Sequence, residues 1–278
     1  MAPHLSNGQP QRGWIVPIGG RIESRELLDR FVDLCGGPKA AIAIIPTASS
    51  ESDTGPWYQD KFRALGCTRS KLLPLDRRSD CDDEDWLSLV GEADGVFFTG
   101  GNQGRLGTVL GGTPIAELIQ RRNREDGLHV AGTSAGAAFL CEHMIAGGAE
   151  GPTPHSKMVT LCAGLGLTNR AIIDQHFTQR NRLGRLLSAI SYNPFCVGLG
   201  IDEDTGAFIA PDDTIEIEGS GAVTVIDPSG VEFTSIDSAR AHEPVAILGL
   251  GMHILTKGTA YHLGTREAHV TESLAVRR

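Results

Sequence analysis

"HVAGTSAGAAFL", residues His129–Leu140, decides the fold class, because it reads as a buried strand that turns abruptly into a helix. Its centre, "GTSAG" from Gly132 to Gly136, satisfies the G-x-S-x-G pattern, in which small neighbours allow a strained turn that exposes a serine oxygen at the carboxyl end of a central strand. Alone, the pentapeptide is equally a Gly/Ala-rich turn whose Ser134 caps a helix. The context favours the elbow: the run before it is apolar, and "AAFLCEHMI" continues it as a helix.

Working outward, the same alternation recurs. Upstream, "GWIVPIGG", "AAIAIIPTASS", "KLLPLD" and "GVFFTGG" read as strands ending in turn formers. Between them, "RELLDRFVDLCGG", "YQDKFRALG" and "DEDWLSLVGEA" carry apolar residues at helical spacing. "TPIAELIQRRNREDG" is a further helix with Pro at its start. This βαβαβαβ order predicts an α/β fold with a mostly parallel sheet and helices on both faces. Downstream, "AIIDQHF", the helical "NRLGRLLSAISY" and the strand "CVGLGIDEDTGAFIA" continue the pattern. From Asp212 short alternating runs such as "TIEIEG", "GAVTVID", "VEFTSID" and "MHILTKGTAYHL" predict antiparallel strands appended to the sheet. With no linker or repeat, residues 1–278 read as a single domain with a β-rich C-terminal portion.

The bulk numbers narrow the function. The chain has 278 residues, is 40% hydrophobic and carries a formal net charge of −9, which argues against a nucleic-acid partner. Its six cysteines show no CxxC or Cys/His ligand spacing, so neither a metal site nor a disulfide framework is expected. The opening "MAPHLSNGQPQRG" lacks the apolar core of a signal peptide, and no run is long enough to span a bilayer. A cytoplasmic protein with no membrane partner is expected.

A serine nucleophile needs a base. Of nine histidines, His4 falls in the terminus, His129 at the foot of a strand and His143 on an apolar helix. His242, His253, His262 and His269 fall in the β-rich tail, and His155 in a loop. His176 differs, since it ends the apolar run "AIIDQHF" and is expected on the same sheet edge as Ser134. The orienting carboxylate is sought in "GLGIDEDTG", where period-two alternation sends Asp202 and Asp204 to one side and Glu203 to the other. Spacing does not choose among the three. Oxyanion donors are expected from the amide of Ala135 and from the Gly100/Gly101 turn of "FFTGGNQ", with Gln103 beyond either touching substrate or capping a helix.

Together, "GTSAGA", "CAGLGL", "IIDQHFTQRNRLGRLL", "GLGIDEDT", "GSGAVTVID" and "FFTGGNQ" resemble the cyanophycinases, within the serine peptidase family that also contains dipeptidase E. The likeness runs from "PIGG" to the "HIL..G..YHLGTRE" region. It implies a fold related to class I glutamine amidotransferases, a triad at Ser134, His176 and Glu203, no cofactor, and a homodimer. It also implies substrate-binding positions at Gln103, Asp174, Gln175, Arg180, Arg182 and Arg185. The implied substrate is cyanophycin or β-linked aspartyl-arginine peptide, a polyaspartate backbone with arginine on each side chain, hydrolysed to β-Asp-Arg dipeptides. Each unit presents a carboxylate and a guanidinium, so arginines forked onto carboxylates and an aspartate receiving a guanidinium suit it. Two alternatives remain: a dipeptidase E-like hydrolase of short Asp-containing peptides, and a non-catalytic binding module. After "PIGG" the family has a small residue and an acid where this chain has Arg21, Ile22 and Glu23, which predicts an altered substrate preference if that turn lines the groove.

Overall fold

A computed structural model describes residues 12–271. The N-terminal part alternates as the sequence predicts, through β1 (Ile15–Ile18), α1 (Arg25–Leu34), β2 (Ile42–Ile45), α2 (Thr54–Ala64), β3 (Lys71–Leu72), α3 (Glu84–Glu92) and β4 (Gly95–Phe98). Two successive helices, α4 (Gln103–Leu110) and α5 (Pro114–Glu125), lead to β5 (His129–Thr133) and the short α6 (Ala135–Phe139). A hairpin of β6 (His143–Gly148) and β7 (Val159–Ala163) precedes β8 (Ala171–Gln175), α7 (Leu183–Tyr192), β9 (Val197–Ile201), β10 (Thr205–Ile209), β11 (Thr214–Gly219) and β12 (Val223–Asp227). The remainder is β13 (Phe233–Thr234), β14 (Ile247–Leu248), β15 (Gly251–Leu255), β16 (Thr259–His262) and β17 (Glu267–Val270).

Nine strands form the main sheet in the order β17-β16-β11-β10-β1-β5-β4-β2-β3. From β1 to β3 the pairing is parallel, and from β10 outward it is antiparallel. The parallel strands are buried on both faces, so successive residues supply two cores. Val16, Ile18, Ile42, Ile44 and Phe97 face α1 and α2, where the rings of Phe31 and Phe62 meet Phe97 tilted and edge-on, with centroids 6.3 and 5.2 Å away. Ile15, Ala43, Ile45, Val96, Phe98 and Val130 face the other way, onto α4, α5, α6 and a second sheet of order β15-β12-β9-β8. Leu186, Ala189 and Ile190 of α7 cover the outer face of that second sheet.

Three expectations are corrected. The stretch "AAFLCEHMI" is not one helix: α6 stops at Phe139 and His143 opens β6. The cause is tertiary competition for the backbone, because the carbonyls of Phe139, Leu140, Cys141 and Glu142 accept from the amides of Leu165, Leu167, Gly166 and Gly164 instead of from a following helical turn. The run "CVGLGIDEDTGAFIA" is not one strand: it breaks at residues 202–204, and β9 and β10 belong to different sheets. The C-terminal strands also divide, with β11, β16 and β17 extending the main sheet while β12 and β15 join the second. Among the described residues no helix is long and apolar enough to cross a membrane.

Candidate active site

The site is organised by the exit of β1. Three consecutive carbonyls there accept backbone amides from three distant segments: Ile18 O from Ser134 N at 2.9 Å, Gly19 O from His176 N at 2.8 Å, and Gly20 O from Asp204 N at 2.8 Å. Segments separated by dozens of residues are thereby hung side by side on one stretch of main chain. The sequence reading placed Ser134 and His176 on one sheet, but β8 lies in the second sheet and the two residues meet across the seam.

Ser134 sits between β5 and α6 at φ 52°, ψ −114°, a conformation that costs a non-glycine residue about 1–3 kcal/mol and clusters at functional sites. The flanking glycines are required by space: a Cβ on Gly132 would lie 2.4 Å from Gly136 O, and one on Gly136 would lie 2.5 Å from Phe98 O. Ser134 Oγ is 2.8 Å from His176 Nε2, and His176 Nδ1 is 2.7 Å from Glu203 Oε1. An ionised carboxylate can only accept, so Nδ1 carries the proton and Nε2 presents its lone pair to the serine hydroxyl. The imidazole lies against Gly20, where a Cβ would fall 2.3 Å from Cε1 and where φ is +113°.

The neighbouring acids are engaged elsewhere. Asp202 accepts from Thr178 N at 3.0 Å and Thr178 Oγ1 at 2.7 Å. Asp204 accepts from the amides of Glu23 and Ser24 and from the hydroxyls of Ser24 and Ser220. Burial pushes its pKa up, but those hydrogen bonds outweigh it and hold the carboxyl below its ordinary value. Glu203 is left facing the imidazole, and its other oxygen lies 3.7 Å from Arg21, an exposed residue at φ +44°. The departure noted after "PIGG" therefore falls beside the candidate orienting carboxylate.

His176 is pushed to a lower pKa by burial; the hydrogen bond to Glu203 opposes this, and Arg180 and Arg182 reinforce it. The ring is neutral near pH 7 and its lone pair is available. Ala135 is the first residue of α6, so its N–H is among the first-turn amides that have no acceptor within their own helix. Gly100 adjoins the nucleophile, since a Cβ there would be 3.8 Å from Ser134 Oγ, and Gly101 follows at φ +140° against Ala48 O.

Four of the other candidate positions form an internal network. Arg185 forks onto Asp174, with Nε 2.6 Å from Oδ2 and the second arm on Oδ1, and Arg182 Nη1 donates to the backbone O and to Oε1 of Gln175, each at 2.6 Å. All four side chains are buried. Burial and neighbouring Arg185 push the Arg182 pKa down to about 10, and its Nε has no hydrogen-bond partner among the described residues. Arg180 alone of the three arginines is exposed. Gln103 does not cap α4; Asn102 does, accepting from Gly104 N and Arg105 N, while Gln103 Nε2 donates to Ile145 O and Ala146 O of β6.

The sequence profile of peptidase family S51 matches residues 18–217, a span that runs from β1 through Ser134, His176 and Glu203 to β11. The chain belongs to this family. As an S51 peptidase it is a hydrolase. It is 41% identical over 256 residues to the cyanophycinase of Trichormus variabilis, covering 91% of this chain and 86% of the relative. It is 40% identical over 260 residues to the cyanophycinase of Geminocystis herdmanii, covering 92% and 96%. A solved peptidase from an acI-B1 Actinobacterium shares the fold, with a TM-score of 0.63 at 24% identity over 95% of this chain and all of that one.

In this S51 peptidase His129 and His155, among the described residues, are engaged by partners other than the serine. His129 is buried at the amino end of β5, where Nδ1 accepts from Trp14 N at 3.0 Å, and His155 Nδ1 pairs with His242 O at 3.0 Å. His4 lies outside the described residues. Sequence reasoning missed the scaffold residues Gly19 and Gly20, and offered Asp202 and Asp204 as candidate orienting carboxylates, not as scaffold. The available signal was the double glycine closing "PIGG", which marks a strand end that another backbone approaches closely.

Proposed function

We propose that this S51 peptidase hydrolyses cyanophycin and releases β-Asp-Arg dipeptides through an acyl-enzyme. The observation that carries the reaction class is the unbroken series of short contacts from Ser134 Oγ through the His176 ring to Glu203. The substrate is supported by relatives named cyanophycinase at about 40% identity over nine-tenths of the chain.

Ser134 Oγ attacks a backbone carbonyl carbon of the polymer while its proton passes to His176 Nε2. Glu203 keeps the imidazole in the useful tautomer and stabilises the imidazolium that forms. The negative charge on the carbonyl oxygen is received by the amides of Ala135 and of the Gly100/Gly101 turn. His176 then returns the proton to the leaving amine, and the C–N bond breaks. Water, deprotonated by the same nitrogen, displaces Ser134 and frees the acid. Arg180, exposed beside His176, meets a substrate carboxylate; Asp174, Gln175, Arg182 and Arg185 shape the floor beneath it, and Gln103 fixes α4 to β6.

The test is incubation with purified cyanophycin and mass analysis of the soluble products, with Asp-Xaa dipeptides in parallel. β-Asp-Arg release from polymer is expected. Ser134→Ala should lower kcat by at least about 10⁴-fold while polymer is still retained. Ordinary rates in that variant, or hydrolysis confined to the short dipeptides, would overturn the proposal.

A further inference from the structure

The turn that touches the triad has a second side. Gly20 and Arg21 face His176 and Glu203, and the next four residues line a cavity of about 170 Å³ between α1 and α2. α1 and α2 pack on the face of the main sheet opposite the second sheet, and the lining residues 22–25 continue directly from Gly20 and Arg21 at the triad. Glu23, Arg25 and Lys61 give it both charge signs, while Leu28 and Leu65 make an apolar floor. Its wall is Trp57, whose indole is 47% exposed although the chain buries most of its large aromatic rings.

Trp57 is not loosely displayed. Its ring is fixed edge-on against buried Tyr58, with centroids 4.8 Å apart, and the Lys61 ammonium stands 4.8 Å from the indole centroid. A cation thus already occupies the indole's vicinity in the free protein. Glu23 pairs with Arg21 at 3.2 Å, but the two side chains are 68% and 71% exposed, so the pair is weak and exchanges partners at little cost. The volume falls below the roughly 300 Å³ at which pockets for drug-sized ligands begin, which suits one side chain better than a whole polymer unit.

We propose that this cavity is a subsite for an arginine side chain of the polymer at least one unit removed from the scissile bond, with the guanidinium between the Trp57 indole and the Glu23 carboxylate. Lys61 swings off the ring to meet the carboxylate of the same unit, so the groove is complementary to a zwitterionic repeat and to neither charge alone. The inference rests on the cyanophycin reading above and adds a length-dependent site to it.

The test compares polymer with the two-unit peptide (β-Asp-Arg)₂, using the full chain. In Trp57→Ala the ratio of kcat/KM on polymer to kcat/KM on the two-unit peptide should fall about three- to tenfold, the range expected for losing a partly exposed cation–π contact. Glu23→Gln should move the ratio in the same direction, and Trp57→Phe should restore most of it. An unchanged ratio in Trp57→Ala overturns the subsite. Retention of inactive Ser134→Ala on insoluble polymer reads the groove without turnover, and equal retention after adding Trp57→Ala overturns it as well. Failure of the unaltered enzyme to release dipeptides would instead bring down the proposed function, and the retention assay would still decide the groove.

Discussion

His176 can take the Ser134 proton only while its imidazole is neutral, and its surroundings favour that form. Burial lowers its pKa from the ordinary 6.5, the Glu203 contact pulls it back, and Arg180 and Arg182 lower it again, leaving a net depression. The acid limb of kcat/KM should therefore fall at a pH below 6.5, with a flat profile through neutrality. Stability follows the same sign. The unfolded chain binds the proton more readily, so this contribution is intact above the ordinary pKa and declines as pH falls through it. Arg180→Ala removes one depressing charge and should move the limb upward toward 6.5. A pH–rate profile checks both; a limb at or above 6.5 in the unaltered enzyme, or a downward move in Arg180→Ala, would contradict the environment described.

At the scale of elements, β8 and α7 are joined by a buried ion pair, not by apolar contacts alone. Asp174 and Arg185 are 1% and 3% exposed and share a forked pair of hydrogen bonds. Replacing only Arg185 takes the forked partner from a buried carboxylate, leaving it the Gln175 amide at 2.9 Å and Arg182 Nη1 at 3.6 Å. Arg185→Met should lower unfolding stability by about 3–5 kcal/mol, and the double change Asp174→Leu with Arg185→Met should recover much of it, as seen in urea titrations. A cost below about 1 kcal/mol for the single change would mean that water reaches Asp174. This pair also marks where sequence reading stops. Arg182 and Arg185, three positions apart, share a helix face, yet whether that face meets solvent or a strand depends on Asp174, eleven positions from Arg185 and known only once β8 is placed. Glu203 needed more: alternation separated it from Asp202 and Asp204, but what leaves it free for His176 is Thr178, Ser24 and Ser220 binding its neighbours. Likewise α6 ends after five residues because residues 164–167 capture its last carbonyls, a competitor invisible to local propensity.

For the whole molecule, the parallel half was legible because strands buried on both faces leave continuous apolar runs; the second sheet was not, because its strands carry the same signature and nothing local says which sheet a strand joins. The seam between the sheets is where the triad lies, with Ser134 on one side, His176 on the other and Glu203 in the connection from β9 to β10. One buried cluster spans that seam, taking Ile15, Val96 and Val130 from the main sheet and Ile173, Leu199 and Val225 from the second. The chain also passes between sheets at β9–β10, β11–β12 and β15–β16, so neither sheet can detach without opening the shared core. We propose that the described residues form a single cooperative unit. Loss of activity, far-UV ellipticity and tryptophan fluorescence should then follow one curve in urea. Val225→Ala, which opens a hole in the shared cluster at a cost of about 1–3 kcal/mol, should move all three midpoints together. If that substitution shifted the activity curve alone, or if calorimetry resolved two transitions, the second sheet would be an independent domain and the ledge would be assembled by docking.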